Sequence, residues 1–116
     1  MPKPGQVKNP FGAAEVIVLT ATGAQALTIV NEVTYIDGAT VPATGARTLN
    51  LAIDTDNINV GARLIIASKT TATETTVFGT NITGATITGV AGKTKVTEFV
   101  YNGSVYVNSG TPVQID

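Results

Sequence analysis

Apolar and polar residues alternate with a period of two along most of this chain, and no window repeats apolar residues at helical spacing behind a cap. That pattern predicts strands throughout and no helix. A continuous apolar run, Val16 to Leu19, precedes the turn pair Thr22-Gly23. Leu27 and Ile29 alternate with polar neighbours, and Val33 and Tyr35 carry the pattern to Asp37-Gly38, where a hairpin turn is expected. After VPATGA, the segment TLNLAID places Leu49, Leu51 and Ile53 on one face and Thr48, Asn50, Ala52 and Asp54 on the other, as in a half-buried strand. Asp54 to Asn59 reads as a polar loop, and Arg63 to Ser68 as a strand centred on Leu64, Ile65 and Ile66. Thr-rich KTTATETT leads to Val77 and Phe78. Asn81-Ile-Thr-Gly84 and Thr86-Ile-Thr-Gly89 then form a near-repeat of two short strands or rungs.

The segment Lys93 to Asn108, KTKVTEFVYNGSVYVN, holds the strongest local signal. Asn102 and Gly103 both tolerate positive φ, so they predict a two-residue type I′ hairpin turn. That turn would set Tyr101 opposite Ser104, Val100 opposite Val105, Phe99 opposite Tyr106 and Glu98 opposite Val107. One face then carries Phe99, Tyr101 and Tyr106, and the other Val96, Val100, Val105 and Val107. A hairpin with one wet side should present one polar face. Two apolar faces imply one packed on the chain's own core and one packed on a second copy.

Composition fits this β reading. Thr accounts for 20 of the 116 residues and aromatics for only 5 %, and β-branched residues fit a pleated surface. At this size the chain is one domain, with a core small enough for oligomerisation to add stability. Charged residues are only 13 % and the net charge is −1, which favours association. Residues 1–14, MPKPGQVKNPFGAA, hold three of the five prolines and carry a side-chain charge of +2. Proline lacks a backbone donor and biases its predecessor to extended geometry, so this is an arm set apart from the body at 15–116. Fully extended, it would reach roughly 46 Å.

Chemistry is sparse. Without His or Cys the chain lacks the usual general base near neutrality and the nucleophile pairs that depend on one. Asp54 and Asp56 are two apart, but Ile58 and Ile65 stand where a calcium loop needs oxygen ligands, so a self-capped turn is expected. Ser68 and Lys69 are strand neighbours and point to opposite faces. Gly92-Lys93-Thr94 mimics the end of a phosphate-binding loop, yet the earlier glycine position is Ile87 and no helix follows. No catalytic, cofactor or metal site is therefore expected. A pI of about 5.2 without clustered basic residues argues against nucleic acid, and no apolar run is long enough for a membrane helix or ordered like a signal peptide. A cytoplasm is where the chain is expected to be made and kept until it is assembled.

From Arg47 onward the order is TLNLAI, a polar loop, NVGARLIIAS, a Thr-rich stretch, ITG, and the closing FVYNGSVYV. This order resembles the trimeric fibre and decoration modules of tailed bacteriophages, which often close on such an aromatic hairpin; where they often have Trp, this chain has Tyr106. The first 14 residues are similar to the capsid-gripping arms of head decoration and head-fibre proteins. The resemblance implies a homotrimeric, non-enzymatic protein on a virion surface, bound to the major capsid protein or another virion protein. Pro2, Lys3, Pro4, Lys8, Pro10 and Phe11 would anchor it, and Val96, Phe99, Val100, Tyr101, Val105, Tyr106 and Val107 would form the subunit interface. The expected body is all-β, a compact antiparallel β-sandwich or β-prism-like unit. A carbohydrate-binding or adhesive module is the alternative, resting on Tyr35, Tyr101 or Tyr106 as a platform.

Overall fold

Corner residues decide how this chain is wound. In the computed structural model, which describes residues 14–116, β1 (Ala14–Val18) leads through a corner at 19–22 into β2 (Gly23–Ile29), which lies in a different sheet. Gly23 has φ +94°, a conformation that glycine adopts without penalty. The Gln25 side chain fastens the corner, accepting from Thr20 N at 2.8 Å and donating to Thr20 O at 3.2 Å. The chain then returns to the first sheet as β3 (Val33–Ala43), to the second as β4 (Arg47–Ile53), and repeats the circuit as β5 (Arg63–Thr70) and β6 (Thr75–Phe78).

Every pairing made by these circuits is parallel: β1 with β3, β3 with β5, β2 with β4 and β4 with β6. The body is thus all-β, but stacked parallel coils replace the expected antiparallel arrangement. The reason is physical. Parallel and antiparallel strands share the same two-residue alternation, so alternation reveals faces and is silent on direction. Antiparallel pairing enters with the remaining elements, which close one end of the stack. They are β7 (Ile82–Thr83), β8 (Ile87–Thr88), β9 (Thr94–Tyr101), β10 (Tyr106–Asn108) and β11 (Val113–Gln114). Here β9 runs antiparallel to β5, β10 and β11, and β8 runs antiparallel to β6.

Register stacks like on like. Ile17, Ile36 and Ile66 share one inward row of the larger sheet; Leu27 lies beside Leu51 and Ile29 beside Ile53 in the smaller. Both sheets contribute to one core containing Leu27, Ile29, Ile36, Leu49, Leu51, Leu64, Ile66 and Phe99. Each such side chain stabilises by about 1.5–3 kcal/mol when fully buried.

Asp37-Gly38 makes no hairpin. Strand β3 continues through it and shifts register between Gly38 and Ala43. The Asp37 carboxylate accepts from Ala39 N at 2.8 Å, Thr40 N at 3.0 Å and Thr40 Oγ1 at 2.5 Å, so the bend is made within one strand. Gly38 is required by space: a Cβ there would meet Ala67 O and Arg47 Nη1, each at 2.6 Å. Arg47 itself is fully buried, and its guanidinium donates to three carbonyls, Thr20 O at 2.9 Å, Gly38 O at 3.0 Å and Val41 O. Burial pushes its pKa down from the usual range, while the Asp37 and Glu74 carboxylates oppose that change.

The closing hairpin differs from expectation in register. Tyr106 pairs with Tyr101, Val107 with Val100 and Asn108 with Phe99. Only Gly103 of the turn pair takes positive φ, at +98°, so the type I′ requirement at both positions is unmet. A wider loop forms instead, closed by Asn102 N donating to Val105 O at 3.1 Å. The register moves by two residues, and an even shift keeps every side chain on its expected face.

Candidate functional site

Candidate catalytic groups dissolve into structural ones. Asp54 accepts through its side chain from Asp56 N at 3.2 Å and Asn57 Nδ2 at 2.6 Å, which is a self-capped turn. Ser68 Oγ shares a buried hydrogen bond with Thr76 Oγ1 at 3.0 Å, while Lys69, the next strand residue, is half-buried. Among the described residues no cluster of acids is placed to hold a metal ion.

What stands out is the outer face of the larger sheet. Pairing sets three outward rows across it: Val33, Arg63, Val100 and Val107; then Val16, Tyr35, Ile65 and Glu98; then Val18, Asp37, Ala67, Val96 and Val113. Val16 and Val113 are each 61 % exposed and Val18 is 52 % exposed. Tyr35, Ile65, Val96 and Val100 are half-buried by their neighbours. Sheet faces meant for water carry polar residues at such positions, and a contiguous apolar patch on a small protein marks an interaction surface.

Its charges cancel. Arg63 lies beside Glu98 across the β5–β9 pairing, with Nε donating to Oε2 at 2.7 Å and Nη2 forming the ion pair. Asp37 and Lys69 complete two acids and two bases on the face. A second copy can meet such a face without charge repulsion, whereas a strongly charged partner gains nothing from it.

The expected interface residues separate into two groups. Phe99 and Tyr106 are fully buried and Tyr101 is 4 % exposed, so these three belong to the chain's own core and are withdrawn from the interface. Phe99 meets Phe78 edge-on at 4.8 Å, and the Tyr101 and Tyr106 rings lie 5.3 Å apart. Their burial also removes two of the three tyrosines that a carbohydrate platform would need, leaving Tyr35 half-buried. Val96, Val100 and Val107 do lie on the outer face, and Val105 closes the hairpin loop. Pro2, Lys3, Pro4, Lys8, Pro10 and Phe11, the residues expected to anchor the chain, lie outside the described residues. Val16, Val18, Val33, Tyr35 and Ile65 extend the face beyond sequence expectation. Their signal was the unbroken apolar runs at Val16–Leu19 and Leu64–Ile66, since a strand covered on both faces need not alternate.

Shifted groups set the titration of the fold, Asp37 on this face among them. The Thr40 hydroxyl holds the Asp37 carboxyl below its usual range, and backbone N–H donors from Ala72 and Thr94 do the same for Glu74 and Asp116. An unfolded chain takes up these protons at higher pH than the folded one, so their contribution is complete above about pH 5 and is lost as pH falls through the lowered folded values. Desolvation pushes the buried Tyr106 hydroxyl up to about 12, with the charges of Glu32 and Tyr101 adding to it. Its contribution is complete below about pH 10, the ordinary tyrosine value, and is lost as pH rises toward 12. Thermal melting against pH should therefore give a plateau with falls at the acid and alkaline ends. With no His in the chain, a step near neutrality would contradict it.

Compared with known proteins, the chain matches no family model, no curated protein and no solved structure.

Proposed function

We propose that this chain is a non-enzymatic structural protein of a virion, decorating or projecting from a phage capsid as a homo-oligomer. The observation that carries the reading is the apolar, charge-balanced outer face of the larger sheet, bearing Val16, Val18, Tyr35, Ile65, Val96 and Val100. Its partner in this reading is the same face of a further copy. The number three follows the resemblance to trimeric phage decoration and head-fibre modules. In this reading the stacked coils form a prism-like body. Residues 1–14 serve as the capsid-gripping arm, Lys3 and Lys8 meeting acidic groups and Phe11 acting as an apolar plug. Burying about 300 Å² of apolar surface per copy supplies roughly 7 kcal/mol before association costs.

The test is solution mass by light scattering. The full chain is expected at trimer mass, and Ile65→Lys, which puts a cation at the centre of the face without touching the core, at monomer mass with unchanged circular dichroism. A variant of wild-type mass would sink the assignment of this face. A chain lacking residues 1–14 is expected to remain trimeric and to lose its binding to purified capsids.

A further inference from the structure

The tip of the β9–β10 hairpin brings together what an asparagine needs to react with its own backbone. We propose that Asn102 is a site of spontaneous deamidation, at which the amide nitrogen of Gly103 attacks the Asn102 carboxamide and the product is aspartate or isoaspartate.

Three features assemble the reaction. The electrophile is polarised: Asn102 Oδ1 accepts from Ser104 N at 2.9 Å and from Val105 N at 3.0 Å. Two backbone donors on one carbonyl oxygen are also the arrangement that stabilises the oxyanion formed on attack. The nucleophile is free, since Gly103 N donates to no group among the described residues and has no Cβ beside it to hinder approach. The leaving group is free too. Asn102 Nδ2 makes no hydrogen bond among the described residues, and both residues are exposed, so water reaches the departing ammonia.

The steps balance. Gly103 N gives up its proton to solvent base and forms a bond to Asn102 Cγ, and Oδ1 takes the negative charge against its two donors. Collapse of that intermediate expels Nδ2, which leaves as ammonia after protonation by water, and a five-membered succinimide remains. Water then adds to one of the ring carbonyls. Opening at Cγ gives aspartate with the normal backbone, and opening at the main-chain carbonyl gives isoaspartate. One water is consumed, one ammonia is released, and no redox change occurs.

The other asparagines among the described residues lack this combination. Asn57, Asn59, Asn81 and Asn108 tie up Nδ2 on Asp54, Glu32, Leu51 O and Thr97 respectively. None of them, nor Asn31 or Asn50, is followed by glycine. Conversion places a new carboxylate at the hairpin tip. As aspartate it accepts the same two N–H groups more strongly, whereas isoaspartate lengthens the backbone by one carbon and displaces them.

The full-length folded protein would be incubated in mildly alkaline buffer alongside a synthetic peptide spanning residues 99–107, with a matched set kept mildly acidic. Peptide mapping by mass spectrometry and an isoaspartate-specific methylation assay would follow. The expected result is loss of the amide at Asn102 before any of the other described asparagines, faster in the alkaline set, with an acidic shift on ion exchange that Asn102→Gln abolishes. An unchanged Asn102 at the time the peptide is fully converted would overturn the proposal, as would modification that begins at another asparagine.

Discussion

Replacing Arg47 with Met is expected to lower the free energy of unfolding by about 3–5 kcal/mol, because one buried and two partly buried carbonyls lose their donor, each unsatisfied buried acceptor costing about 1–3 kcal/mol. Thr20 O belongs to the first corner, where the chain changes sheet, and Gly38 O and Val41 O to the bend within β3. Gly38 leaves room for the guanidinium by having no side chain. Arg47→Lys keeps the charge but offers a compact point donor in place of a planar fork, so it should fall between wild type and Met. Urea unfolding followed by circular dichroism at neutral pH checks this. The midpoint should move while the slope holds, and a midpoint change worth less than about 1 kcal/mol would show the corner carbonyls satisfied some other way.

Phe99→Ala is the second large effect, expected to cost about 3–5 kcal/mol. The ring comes from β9 in the larger sheet and packs edge-on against Phe78 of β6 in the smaller, so it ties the antiparallel cap to the parallel coils. Gly84 passes so near that a Cβ there would lie 2.9 Å from Phe99 Cε2, and that closeness leaves a void when the ring is removed. Thermal melting gives the cost. Light scattering on the same sample separates core from interface: folded Phe99→Ala protein should keep the wild-type mass, and a monomer that melts like wild type would return Phe99 to the subunit interface.

Faces were legible in the sequence, and directions were not. Leu49, Leu51 and Ile53 face inward as their alternation indicates, and both short Ile-Thr strands form with Ile82 and Ile87 buried. Thr22-Gly23 does turn the chain, but into the opposite sheet. A turn dipeptide specifies a change of heading and says nothing of which strand waits beyond it. Asp37-Gly38 shows the same limit, because the glycine answers to a neighbouring backbone carbonyl and a guanidinium that come from distant parts of the chain. Arg47 reads in the sequence as an ordinary polar residue opening a strand. Its burial follows from the carbonyls that the first corner and the β3 bend turn toward it, and those meet only once the circuits are stacked. Of the apolar outer face, the hairpin contribution at Val96, Val100 and Val107 was visible, while Val16, Tyr35 and Ile65 join it only through parallel register.

Stacked parallel circuits make height and cross-section independent of each other. Ala14 and its partner Val33 are 19 positions apart and Gly23 and Arg47 are 24 apart, whereas Val33 and Arg63 are 30 apart and Arg47 and Thr76 are 29 apart, so the circuits differ in length at their corners while the strands keep their stacking. Duplicating one such stretch would raise the column by roughly 4.8 Å, the spacing between neighbouring strands, and leave the β9–β11 cap and the footprint unaltered. A body built this way can be lengthened by whole steps, and its height is set by counting circuits.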